Sequence, residues 1–229
     1  MKSLCDKLQI IGTDISNAID TYQRKENSVQ LLAVSKYHPV SAIREAYLCG
    51  QRAFGENYTQ EMLKKAEALK ELAIEWHFIG ALQSNKTRPI ATIASWVHTI
   101  DRIKIAKRLS EQRPAHLPPL SVCLQVNISE EKSKSGVFPQ ELSALAQEVT
   151  QLPNIKLRGL MAIPKAETDF NKQCEIFAKL RYLQENLIEQ GITELDTLSM
   201  GMSADMSAAI AEGATIVRIG TAIFGIREN

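Results

Sequence analysis

Short apolar runs rich in branched residues alternate with stretches of helical periodicity along this chain, eight times over. No other feature constrains the fold as strongly. Regular strand–helix alternation demands a parallel sheet covered by helices, because each parallel connection must cross back over the sheet. The runs are VQLLAV (29–34), RAF (52–54), WHFIG (76–80), SWVHTI (95–100), LSVCLQV (120–126), IKLRGLM (155–161), LDTLS (195–199) and TIVRI (215–219). Eight strands close into a barrel. The chain has 229 residues, close to the roughly 250 such a barrel uses, and no Gly/Ser/Pro-rich linker divides it. The expected fold is a single (β/α)8 barrel of the TIM type, one domain over 1–229. A doubly wound open sheet is the runner-up, but no strand is followed by G-x-G-x-x-G.

The helices are read the same way. Leu4, Leu8, Ile11, Ile15, Ile19 and Tyr22 step by three and four, which predicts an additional amphipathic helix within 1–24. Pro39 and Gly50 bracket the next helix, the usual Pro-first, Gly-last asymmetry. Asp101 is expected to cap the helix carrying Ile103, Ala106 and Leu109, and Ser203 the one reaching Gly213. After the last strand only TAIFGIREN remains, too short for a full eighth helix. The N-terminal helix is therefore expected to pack over that gap.

Charge and cysteine usage exclude several function classes. Lys and Arg number 27 against 26 Asp and Glu, which offers no electrostatic reason to expect nucleic acid or an anionic membrane as partner. No apolar run approaches the ~20 residues of a membrane span. The N-terminus carries Asp6, Asp14 and Asp20 and lacks the apolar core of a signal peptide. Cys5, Cys49, Cys123 and Cys174 are scattered, so reduced thiols in a cytoplasmic protein are expected rather than a disulfide framework or zinc site. His38, His77, His98 and His116 lack metal-ligand spacing, and core or surface roles suit them better. No metal is expected.

A barrel keeps its site at the C-terminal ends of its strands. Polar residues and glycines concentrate there: Ser35-Lys36, Gly55-Glu56-Asn57, Gly80 to Lys86, Asp101-Arg102, Asn127, Ser199 to Ser203, and Arg218 to Thr221. Barrels often hold phosphate with the loops after strands seven and eight. SMGMSADM (199–206) supplies Gly201, which lets the backbone approach closely, and Gly220-Thr221 adds a second flexible amide with a hydroxyl. Either segment alone is an ordinary helix cap or turn; together they argue for a phosphate site. GTAIFG (220–225) mimics a P-loop, but no Gly-Lys-Ser/Thr follows.

Lys36 ends the first strand, where its amine would enter the barrel mouth. Such a lysine can form a Schiff base if desolvation keeps it partly neutral. A solvated lysine at a strand end is the commoner case, and the phosphate site is what favours the other reading. Arg218 lies on a strand, where burial requires a partner; an internal salt bridge would serve equally. Asn57 either touches a ligand or caps the following helix. The charged loop NISEEKSKSG (127–136) is read as solvated, with lysines available for a secondary anion contact.

LLAVSK (31–36), FGENY (54–58), WHFIG and LQSNK (76–80, 82–86), HTIDR (98–102), QVNIS and KSG (125–129, 134–136), RGLM (158–161), SMGMS and DM (199–203, 205–206) and VRIGTAIFG (217–225) together resemble the pyridoxal phosphate homeostasis protein family. The resemblance runs in order from about 29 to 227. It implies a lone barrel similar to the N-terminal domain of alanine racemase. It also implies binding of pyridoxal 5′-phosphate without strong catalysis, and a part in cofactor supply and in amino-acid and keto-acid balance. Lys36 resembles the family's Schiff-base lysine. Ser199, Met200, Gly201, Ser203, Gly220 and Thr221 look like its phosphate cradle, Arg218 like the arginine facing the pyridine nitrogen, and Asn57 like a polar contact near the ring. Tyr37, His38, Ala81 and Ala204 depart from the residues common in the family.

Arginine is a donor and never accepts a proton, so a ring nitrogen facing Arg218 would stay unprotonated, which weakens the electron sink. Alanine racemase works with a similar arginine but adds a second domain and an opposite base. This chain ends just past the barrel, so one-sided chemistry is expected. The leading expectation is a monomeric carrier that passes the cofactor to apo-enzymes. Alternatives are a pyridoxal phosphate-dependent amino-acid racemase of low activity and a cofactor-free sugar-phosphate barrel enzyme.

Overall fold

A computed structural model describes residues 2–131 and 134–225. The chain opens with α1 (Leu4–Thr21), then β1 (Gln30–Val34), α2 (Val40–Leu48), β2 (Ala53–Glu56) and α3 (Thr59–Ala68). It continues through β3 (Glu75–Phe78), α4 (Thr87–Ile93), β4 (Trp96–Ile100), α5 (Ile103–Gln112), β5 (Leu120–Gln125) and α6 (Pro139–Thr150). The last third holds β6 (Ile155–Met161), α7 (Phe170–Glu189), β7 (Thr197–Ser199), α8 (Met206–Ala211), β8 (Ile216–Ile219) and the short α9 (Thr221–Phe224). The strands form a closed parallel barrel in chain order, β1 to β8, as the alternation predicts. Closure is made by β1 on β8, with Leu32 opposite Arg218 and Ala33 opposite Ile219.

Period-two alternation divides each strand between two cores. Ala33, Phe54, Val97, Leu124 and Val217 face outward and join the helices in one large apolar cluster. Leu32, Val34, Ala53, Ile79 and Ile216 cluster separately inside the barrel, as do Trp96, Cys123 and Met161. A side chain on Gly55 would meet Leu32 and Ile79, which places that glycine on the inner face too.

Helix α1 buries Leu8, Ile11, Ile15, Ala18 and Ile19, and a capping box starts it: Ser3 Oγ accepts from Asp6 N, and Asp6 Oδ2 accepts from Ser3 N. It packs on α2, α8 and α9, so it occupies the outer-layer position that four-residue α9 is too short to fill. No helix among the described residues is long and apolar enough to cross a membrane.

Three local expectations are corrected. Arg102, not Asp101, is the N-cap of α5, and the Asp101 carboxylate instead accepts from the Arg102 guanidinium at 2.6 Å. Asp205, not Ser203, is the N-cap of α8; Asp205 Oδ1 accepts from Met202 N, which closes a turn and delays the helix. The thiols are not all reduced: a disulfide joins Cys5 on α1 to Cys49 at the end of α2, with Cα atoms 5.3 Å apart. That pairing follows from α1 lying against α2, a contact that a separation of 44 residues does not announce. Cys123 and Cys174 are free, and burial pushes the Cys123 thiol up to about 12, which makes it inert.

Candidate functional site

Lys36 lies two residues past β1 and is half-buried, and the alternation that turns Leu32 and Val34 inward would carry its side chain to the mouth. Its neighbours hold it in place from outside the barrel wall. Ser35 N donates to Gly55 O at 3.0 Å, which extends the ladder one residue past β1. Ser35 Oγ donates to Glu56 Oε1 at 2.6 Å. Tyr37 takes a left-handed φ of 66°, and its N–H donates to Glu61 Oε1 at 2.6 Å. Lys65 of α3, 4% exposed, donates to Ser35 O, Glu56 Oε1 and Glu61 Oε1. Burial pushes the Glu56 carboxyl up, with Lys65 and Ser35 opposing that shift.

The sequence offered Glu56 only as one polar residue among those at the strand ends, with no role, and did not single out Glu61 or Lys65. A signal was present, since Met62, Lys65 and Leu69 share one buried helix stripe. A cation on such a stripe needs a carboxylate.

Arg218, 4% exposed, points into the barrel from β8. Its Nη1 donates to Ser199 Oγ at 2.8 Å and its Nη2 to Ala162 O at 2.9 Å. Burial lowers its pKa to about 10, so the guanidinium is still charged at neutral pH. Ser199 Oγ is also 2.8 Å from His98 Nδ1, so that hydroxyl is committed within the barrel and supports Arg218. Met200 is fully buried against the helices and offers the mouth only its backbone.

Gly201 has φ of 92°, and a Cβ there would lie 2.6 Å from Ala209 Cβ; only glycine fits both the backbone and α8. Gly201 O accepts from Arg218 N at 3.0 Å, which ties the loop after β7 to β8. Ser203 and Thr221 are exposed at the rim. Gly220 packs on β1, where a Cβ would sit 3.1 Å from Val34 O. His38 stacks on Phe224 with centroids 5.0 Å apart, joining the Lys36 turn to α9. The seam between β1 and β8 thus gathers Lys36, Arg218, Gly201 and Gly220.

Asn57 lies on the β2 side of the mouth. The N-cap of α3 is Tyr58, with no side-chain bond, so Asn57 is not the cap. Its Oδ1 is buried without a hydrogen-bond partner among the described residues. It borders a cleft of about 580 Å³ lined also by Tyr58, Gly80, Gln83 and Lys86. Tyr37 and Tyr58 meet hydroxyl to hydroxyl at the rim. Ala81 and Ala204 are exposed. Of the lysines in the 127–136 loop, Lys132 lies outside the described residues. Among the described residues no cluster of three or more His, Cys, Asp or Glu could hold a metal.

A half-buried lysine two residues past β1, a buried arginine on the adjoining β8 and glycine-bearing loops after β7 and β8 define a class of barrel. Residues 14–228 match the family of the alanine racemase N-terminal domain. The whole chain aligns at 55% identity with 97% of the pyridoxal phosphate homeostasis protein of Pseudomonas aeruginosa. It aligns at 50% identity with 98% of the protein of that name from Escherichia coli. The chain belongs to the family of pyridoxal phosphate homeostasis proteins. PipY of Synechococcus elongatus, solved with pyridoxal phosphate bound, superposes with a TM-score of 0.80 at 39% identity, over 92% of this chain and 100% of that one. Alanine racemase of Corynebacterium glutamicum shares the fold alone, with a TM-score of 0.66 at 19% identity; this chain spans 62% of it.

Proposed function

We propose that this protein binds pyridoxal 5′-phosphate covalently through Lys36 and acts as an intracellular carrier of the cofactor rather than as a robust enzyme. The observation that carries the reading is the half-buried Lys36 beside β8, whose Arg218 is fixed by Ser199 and Ala162. The names of its relatives and the cofactor in PipY support it.

The residues present fit the group. Lys36 supplies the amine that bonds to the aldehyde as a Schiff base. Backbone amides around Gly201–Ser203 and Gly220–Thr221 receive the phosphate, with Thr221 and Ser203 adding hydroxyls. Met200 contributes only main chain, and Ser199 acts by holding Arg218. Arg218 faces the ring nitrogen as a donor, and Asn57 offers its unpartnered Oδ1 near the ring. When bound, the cofactor supplies an electron-withdrawing ring. Arg218 cannot protonate the nitrogen fully, so that ring is a weak electron sink. Storage and delivery are favoured over turnover.

The whole barrel, α1 included, forms the binding unit. We place it in the cytoplasm as a monomer that meets apo-enzymes transiently. Borohydride reduction followed by peptide mapping tests the reading: the pyridoxyl label is expected on Lys36, and Lys36→Ala is expected to abolish the yellow colour. A label on another residue, or colour retained in that variant, overturns the site. Rapid Cα deuterium exchange of L-alanine with formation of the D-enantiomer would overturn the carrier role in favour of a racemase.

A further inference from the structure

Below the mouth, side chains from four strands form a continuous polar line through the barrel. Arg218 Nη1 donates to Ser199 Oγ at 2.8 Å, and that oxygen lies 2.8 Å from His98 Nδ1. His98 Nε2 lies 2.9 Å from His77 Nδ1. His77 Nε2 faces Glu75 Oε1 at 3.5 Å, an ion-pair distance that is long for a hydrogen bond. Glu75 opens β3 at the opposite end of the barrel from Lys36, and it accepts from Trp96 Nε1 at 2.8 Å and Gln30 Nε2 at 3.1 Å. Ser199, His98 and His77 are fully buried.

The two ends dictate the direction of the line. A guanidinium has only donors, and an ionised carboxylate only acceptors. Arg218 occupies a lone pair of Ser199, so the serine proton goes to His98 Nδ1. An imidazole accepting at Nδ1 carries its proton on Nε2, which donates to His77 Nδ1. The His77 proton is then also on Nε2, facing Glu75. The reverse order would strand the serine proton and set a ring lone pair against a carboxylate. Burial keeps both rings neutral, since each has its pKa lowered chiefly by desolvation. Each of the three hydrogen bonds therefore points from the cation toward the anion, with the His77 proton facing Glu75 at 3.5 Å, and aligned links reinforce one another.

We propose that Glu75, His77 and His98 are positioning residues for the cofactor ring, acting through Ser199 to fix the tilt and charge of Arg218. The floor of such a barrel ordinarily serves stability; here it reaches the site by one electrostatic contact, Glu75 to His77, and then by hydrogen bonds through His98 and Ser199. The inference rests on the reading above that Arg218 faces the ring.

Two arms test it. In cofactor-free protein, nitrogen-15 NMR is expected to find His77 and His98 both neutral with the proton on Nε2. A proton on Nδ1 of either ring, or a charged ring, overturns the chain whatever ligand binds. In cofactor-loaded protein, His98→Leu is expected to keep the label on Lys36, shift the absorption band and release pyridoxal phosphate roughly ten-fold faster, the loss of one charge-assisted hydrogen bond. His98→Gln, whose amide can accept from Ser199 and donate to His77, should restore release to within about two-fold, well inside one such bond. Wild-type band and release in His98→Leu overturn the positioning role. If that variant fails to fold, Glu75→Gln replaces it: a displaced band and a displaced Arg218 guanidinium resonance are expected, and no change in either overturns it. A label absent from Lys36 in the unmodified protein would instead sink the cofactor reading, and the positioning role with it.

Discussion

Lys65, nearly sealed from solvent on α3, donates to the backbone carbonyl of Ser35 across 2.7 Å. The residue after Ser35 is Lys36, the lysine of the proposed cofactor linkage, so a buried cation outside the barrel wall holds the backbone that carries it. Glu56 and Glu61 complete the pocket, each within 2.7 Å of the same ammonium.

Breaking this group should be expensive. Lys65→Met leaves Glu56 buried without a countercharge, a change that costs about 3–5 kcal/mol in comparable sites. Urea unfolding should show a loss of that size, together with weaker cofactor retention. The double variant Glu56→Gln with Lys65→Met should recover part of the stability. A loss of under about 1 kcal/mol in Lys65→Met, the range of exposed pairs, would mean the pocket is solvated and the anchoring account wrong.

The buried histidines set an acid limit on stability. Burial lowers both His77 and His98 in the folded barrel, whereas in the unfolded chain they titrate near 6.5. Their contribution is complete above that value and is lost as pH falls below it, because only the unfolded chain takes up protons. Each adds up to about 1.4 kcal/mol per pH unit to the slope. Glu56 works in the opposite sense, since burial raises its carboxyl pKa, so variants must be compared at matched pH. His98→Gln should flatten the slope between pH 5 and 6.5 by roughly one proton. An unchanged slope would show that His98 is not buried neutral.

Gly201 and Gly12 make a paired test. Alanine at Gly201 meets both a left-handed φ and the Ala209 methyl, so a cost of about 1–3 kcal/mol and looser phosphate binding are expected. Alanine at Gly12, in the middle of α1 with open space around it, should stabilise by roughly 0.5–1 kcal/mol and leave cofactor binding untouched. Calorimetry and a cofactor titration read both. Equal effects at the two positions would remove the case for a required glycine in the β7 loop.

The Cys5–Cys49 bridge cross-links residues 44 apart, which in the chain-entropy account is worth about 3–4 kcal/mol. Oxidised protein should unfold at higher denaturant than reduced protein, and Cys5→Ser should match the reduced form under both conditions. In a reducing cytoplasm such bonds are usually transient, so the reduced value is the relevant one there. Four titratable thiols in denatured, air-oxidised protein would refute the pairing.

The barrel was legible in the chain because it depends on local periodicity. A branched run forms a strand, a period of two assigns alternate side chains to the interior, and eight repeats close the sheet. Ser203 and Asp101 misled as caps because cap geometry depends on where a loop turns, and Asp205 turned one of those loops early. For His77 and His98 the sequence left core and surface roles open and gave no sign that they touch. Their contact, like those of Arg218 with Ser199 and Lys65 with Ser35, joins residues on separate elements. Which side chains meet across strands depends on barrel stagger and helix seating, long-range packing quantities that no local stretch of sequence encodes.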